Sequence, residues 1–127
     1  MANSVGYHES EDKLRPETQD NHRALTSMQE ELEAADWYDQ RVDAATDADL
    51  KAILAHNRDE EKEHFSMLLE WYRRRDAKMD AHLKEYLFST GALIAREQAS
   101  AGGGDGGGEA GGGGALGIGS LKGGQGL

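Results

Sequence analysis

The chain runs to 127 residues, with 24 acidic side chains against 14 basic ones and a formal net charge of −10. A field of that sign repels nucleic acid and anionic lipid and draws in cations, although an acidic balance also simply keeps a protein soluble. The absence of cysteine excludes disulfide staples and thiolate zinc sites, and with no apolar run near the roughly twenty residues of a membrane span and no secretion-signal stretch in Met1 to Asp12, a cytoplasmic protein is expected.

Residues 1–15 are polar, show no sustained period and are expected to be disordered. Pro16 suits the first turn of a helix, where its missing N–H costs nothing. From there to about Asp43 neither Gly nor Pro interrupts. The run Met28-Gln29-Glu30-Glu31-Leu32-Glu33-Ala34-Ala35 is dense in helix formers, which predicts a rod of about 40 Å. Thr46-Asp47-Ala48-Asp49 reads as the next start, with Thr46 as cap and Asp49 answering it in a capping-box arrangement. A second helix follows from about Asp47 to Arg75, and Asp76 is placed to cap a third through Phe88, with Gly91 beyond its end. Nothing forces a break at Asp76, so one bent rod is equally compatible. The fold class is all-α: an antiparallel two-helix hairpin plus a short C-terminal helix, in a helical domain over 16–95. Residues 96–114 are expected to be a Gly-rich linker, densest from 102 to 114, where a flexible coil spans about 20 Å. Apolar residues return in Leu116-Gly117-Ile118-Gly119-Ser120-Leu121, within a tail over 115–127. A tether followed by a small apolar motif suits docking through Leu116, Ile118 and Leu121; a frayed end is the plainer alternative.

The polar residues inside the apolar seam carry the functional signal. In the first helix Ala24, Met28, Glu31, Ala35, Tyr38 and Val42 step alternately by four and three. In the second, Leu50, Leu54, Asn57, Glu61, His64, Leu68, Trp71 and Arg75 do the same. That is the seam of a left-handed helix bundle, and it puts Glu31, Glu61 and His64 mid-helix among apolar neighbours. A carboxylate buried there without a partner neutralises or finds a cation. Glu31 and Glu61 are symmetric about position 46, where the capping signal puts the turn. They are expected to face each other across the hairpin, with His64 one turn from Glu61. A Glu opposite a Glu-x-x-His unit predicts a metal site.

Ferritin-like di-iron bundles use one Glu from each of two helices and a Glu-x-x-His from each of two others. This chain has one such set, which is half a site. A second copy packed about a two-fold axis supplies the other half and makes a four-helix bundle, an association that a domain this short often needs for stability. Oxygen-rich ligands with one imidazole per metal suit iron or manganese better than structural zinc. The residues alone leave other readings open. A seam Glu or His can set register in a helical adaptor that holds no metal. Glu30, Glu33, Glu60 and Glu63 form either a funnel for cations or a solvated face. Tyr38 either hydrogen-bonds at the site or packs an interface. Trp37 and Trp71 read as packing residues. His56, Glu60 and His64 share a line at four-residue spacing that offers a different metal face, but that line drifts off the seam and is discounted.

The runs Met28 to Val42 (Met-Gln-Glu-Glu-Leu-Glu-Ala-Ala-Asp-Trp-Tyr-Asp-Gln-Arg-Val) and Ile53 to His64 (Ile-Leu-Ala-His-Asn-Arg-Asp-Glu-Glu-Lys-Glu-His), with the tail Leu116 to Leu121, closely resemble the encapsulated ferritins. The resemblance covers roughly residues 20–90 plus the tail. It implies a bacterial or archaeal cytoplasmic ferroxidase that oxidises Fe(II) to Fe(III) and is held as cargo inside an encapsulin shell. It also implies a homodimer carrying a di-iron centre at its interface, and an annular decamer of five such dimers. By position, Glu31, Glu61 and His64 match the family's iron ligands and Tyr38 its nearby tyrosine. Glu30 and Glu33 match acidic residues where metal enters, with Trp37 beside them. Leu116, Ile118 and Leu121 fall in the family's encapsulation signal. The N-terminus and the Gly-rich tether have no counterpart in that pattern.

Overall fold

A computed structural model describes residues 6–102. Its regular elements are a short 3-10 turn at Glu11–Lys13 and four helices: α1 Pro16–Ala44, α2 Ala48–Arg73, α3 Ala77–Tyr86 and α4 Leu93–Gly102. No strand occurs among the described residues. None of these helices is long and apolar enough to cross a membrane. The chain divides between Tyr72 and Arg73 into two compact units, where the sequence suggests one continuous domain.

The first unit holds α1 and α2. Proline at the start of α1 forces Arg15 into an extended conformation, which fixes where the helix begins. Its 29 residues make a rod of about 43 Å at 1.5 Å per residue. The cap of α2 lies one residue beyond the capping box expected at Thr46. The backbone N–H of Leu50 donates to Asp47 Oδ2 at 2.9 Å, so Asp47 is the cap. An aspartate carboxylate accepts from the helix N-terminus more strongly than a threonine hydroxyl and also meets its positive end. Across the hairpin Arg58 Nη1 donates to Asp39 Oδ1 at 2.9 Å, which ties α2 to α1 near the turn.

Two helices bury little. Only Ala24 and Met28 are fully covered among the described residues, and α2 contributes no buried residue. The predicted seam is half-covered instead, through Ala35, Tyr38, Val42, Leu54, Asn57, Glu61, His64, Leu68 and Trp71, while Leu50 and Arg75 are exposed. Leu32, Ile53 and Met67 are more than half exposed, at 52%, 57% and 58%.

The sequence predicts disorder over 1–15; residues 1–5 lie outside the described residues, and 6–15 are tied to α1. Tyr7 packs on the His22 ring, with centroids 4.8 Å apart. Gln19 Nε2 donates to the carbonyls of Glu11 and Leu14, both at 3.4 Å. These ties are side chain to backbone or ring to ring, so they leave no periodic trace.

In the second unit Asp76 caps α3, accepting from the Met79 N–H at 2.7 Å, and the helix is separate from α2. It ends at Tyr86, short of Phe88. Phe88 takes a positive φ of 61° and Gly91 one of 87°, a backbone turn that glycine makes freely and phenylalanine only at a cost. The expected linker is corrected at its start: α4 runs from Leu93 to Gly102. Leu93-Ile94-Ala95-Arg96-Glu97-Gln98-Ala99 contains no helix breaker. Glu85 Oε2 in α3 receives both Arg96 Nη1 and Ser100 Oγ at 3.2 Å, which pins the helix down. The remainder of the linker and the tail with Leu116, Ile118 and Leu121 lie outside the described residues.

Candidate metal centre

The hairpin brings three of the singled-out side chains together. One donor atom each from Glu31, Glu61 and His64 lies within 4.8 Å of the other two. Among the described residues this is the one group of three acidic, His or Cys side chains so placed. His64 Nδ1 lies 3.4 Å from Glu61 Oε1 and 3.5 Å from Glu31 Oε1. Glu61 and His64 are three apart on α2 and so share a face, and Glu31 meets them from α1 at the level the hairpin register dictates. Donors on one ion at about 2.1 Å each are at most about 4.2 Å apart. Small rotamer changes therefore close the set around a cation.

Its electrostatics are those of a site with too much negative charge. The Glu31 carboxyl is held above its ordinary value, first by the hydrogen bond it shares with Glu61, then by partial burial and repulsion from Glu61, with His64 acting in the opposite direction. For His64, burial works against the imidazolium, but hydrogen bonds and charge from Glu61 and Glu31 outweigh it and hold the ring above its ordinary value. The side chains are partly open to solvent, at 24%, 21% and 43% for Glu31, Glu61 and His64. An open cleft of about 570 Å³ lies over Glu31 and His64, lined also by Asp20, Arg23, Ala24, Ser27, Met67, Leu68 and Trp71. The donor set thus fits an oxygen-preferring cation with one nitrogen ligand, and it leaves positions on that cation unfilled.

The other singled-out residues sit elsewhere. Tyr38 lies two turns along α1 from Glu31, half-covered, with the Arg41 guanidinium 5.4 Å above its ring. Glu30, Glu33 and Trp37 are exposed, on one stripe of α1 by their spacing of three and four. Glu60 belongs closer to the centre than its off-seam position suggested. Its Oε1 lies 3.8 Å from His64 Nε2 and its Oε2 lies 3.8 Å from His56 Nε2. The four-residue spacing of these three residues is the signal in the sequence, and its drift off the seam makes it easy to discount.

Residues 6–90 match the EncFtn-like family. The chain belongs to that family. This agrees with the encapsulated-ferritin resemblance, and with it the all-helical architecture is ferritin-like. The chain is 57% identical over 122 residues to an encapsulated ferritin-like protein of Rhodospirillum rubrum, which spans 91% of this chain and 87% of that one. It is 41% identical over 59 residues to the encapsulin nanocompartment cargo protein EncC of Myxococcus xanthus, covering 46% of this chain and 45% of that one. Among solved structures, protein ne0167 from Nitrosomonas europaea superposes with a TM-score of 0.68 at 58% identity, covering 70% of this chain and 98% of that one. The three donors of the centre fall inside the EncFtn-like match.

Proposed function

We propose that this EncFtn-like chain is a ferroxidase, oxidising Fe(II) to Fe(III) at a two-iron site shared between two copies of itself, as cargo of an encapsulin shell. The observation that carries this reading is the convergence of Glu31, Glu61 and His64, with one carboxylate facing another. The two carboxylates offset the charge of an incoming Fe(II), and the imidazole completes a set that suits iron. The iron itself supplies the electrons, which dioxygen accepts. One chain offers three ligands, so a second copy related by a two-fold axis contributes the same three and makes a bridged pair possible. The half-covered seam and exposed Leu32, Ile53 and Met67 support such association, with dimers joining further into an annular decamer. Tyr38 is assigned to the site from the same face of α1. The exposed Glu30, Glu33 and Trp37 are assigned to a surface where Fe(II) collects before reaching it.

Two hairpins cannot enclose a mineral, so storage needs a container. The names of the Rhodospirillum and Myxococcus relatives support an encapsulin shell as that container. Leu116, Ile118 and Leu121 are proposed as the contacts that address the chain to it, each alternating with small residues that let an extended segment lie close to a groove. Oxygen uptake on adding air-saturated buffer to the anaerobically Fe(II)-loaded chain tests the activity. Uptake well above that of Fe(II) in buffer is expected; uptake at the buffer rate contradicts it. A chain ending at Gly114 is expected to retain that activity and to be lost from shells co-expressed with it. Equal retention of both forms removes the tail from the account.

A further inference from the structure

Both ring nitrogens of His64 face carboxylates, and only one of those faces belongs to the metal centre. Nδ1 looks at Glu31 and Glu61, at 3.5 and 3.4 Å. Nε2 looks the other way, at Glu60 Oε1, 3.8 Å off. A neutral imidazole carries one N–H, and a nitrogen that binds a metal must be the one without it. We propose that Glu60 is a positioning residue for His64, accepting the Nε2–H and so presenting the Nδ1 lone pair to a cation held with Glu31 and Glu61. The inference rests on the metal reading of that centre.

Helical spacing alone brings Glu60 near His64, since residues four apart are neighbours on α2. What sets this pair apart is the division of the ring. With Nδ1 directed at the other two carboxylates, Nε2 is the nitrogen left for a second partner, and Glu60 stands at that side. At 3.8 Å the pair is longer than a hydrogen bond, so the half-exposed Glu60 side chain has to turn toward the ring to accept from it. The second oxygen of Glu60 is 3.8 Å from His56 Nε2, which lies a further turn out and is 70% exposed. A carboxylate behind a metal-bound imidazole fixes its tautomer and ring orientation, and removing such a partner weakens metal binding.

The test uses the full chain and two readouts. Long-range proton–nitrogen NMR of the Zn(II)-loaded protein reports which His64 nitrogen holds the metal and which keeps its proton, and Co(II) absorption reports affinity without redox chemistry. In the wild type Nδ1 is expected to hold the metal, with the proton on Nε2. Glu60→Ala is expected to admit the metal on either nitrogen and to weaken Co(II) binding about tenfold, the low end of the range for such partners. Glu60→Gln, whose amide oxygen still accepts, restores part of both. An unchanged metal-bound nitrogen and unchanged Co(II) affinity in Glu60→Ala overturns the proposal. Equal Co(II) binding by wild type and His64→Ala would instead overturn the metal-centre reading, a result distinct from a silent Glu60.

Discussion

Two charge clusters in this chain are built on opposite principles. In α3, Asp80 receives Lys84 at 3.1 Å and also pairs with Arg73. Hydrogen bonds from Lys84 and then Arg73 hold its carboxyl below its ordinary value. Close by in sequence, Glu85 is matched by Arg96 and Ser100. Each carboxylate has its cation or donor, and the cluster staples short helices. In the hairpin, Glu31 meets Glu61, and its carboxyl is held above its ordinary value. His64 alone cannot balance two carboxylates. The first cluster is complete as it stands. The second keeps an excess of negative charge, with a donor set that fits a cation.

The most severe way to break the contrast is to remove the donors. Glu31→Ala, Glu61→Ala and His64→Ala are each expected to bring ferroxidase activity down to the rate of Fe(II) in buffer, while circular dichroism shows unchanged helix content. Loss of a ligand is felt twice in a symmetric dimer. Wild-type rates in all three variants would put the site elsewhere.

A smaller effect sharpens the contrast through pH. Asp80, with its depressed folded value, contributes stability that is present above the unfolded carboxylate pKa and lost as pH falls through the folded one. Glu31, raised in the fold, does the reverse: its contribution in the metal-free chain is present below the unfolded value and lost as pH rises through the folded one. At neutral pH, Asp80→Asn is therefore expected to lower Tm by a few degrees and Glu31→Gln to raise it. The Glu31 difference should close by about pH 3, below the ordinary carboxylate range, while the Asp80 difference shrinks there and closes only once the pH is below its depressed folded value. Thermal melts of metal-free protein at the two pH values check the signs, and equal signs for the two variants would erase the distinction between the clusters. The least effect belongs to the exposed part of the hairpin clasp. Asp39→Asn removes one of two partners of Arg58, the other being Asp59 at 3.1 Å, and a barely measurable drop in Tm is expected, as is usual for surface ion pairs.

Much of this was legible in the sequence because it obeys a period. The seam placed Glu31, Glu61 and His64 on facing sides of a hairpin, and the turn position fixed their level. The misses have other causes. Thr46 and Asp47 are adjacent cap residues, and which one caps depends on where the chain leaves α1. The helix α4 was hidden by the glycines that follow it, although its own residues are good helix formers and Glu85 is there to receive them. Residues 6–15 are held by Gln19 and His22, whose types give no hint of such ties. Glu60 falls off the seam, so a test that asks only which residues face the core passes over a residue facing the far side of a ligand.

On the proposed reading, one chain carries half a site. Native mass spectrometry of the metal-free chain, titrated anaerobically with Fe(II), tests it most directly. Iron is expected on dimers or on assemblies of dimers, at two irons per pair, and is expected to shift monomer toward those species by mass action. Iron bound to a chain that stays monomeric would contradict it.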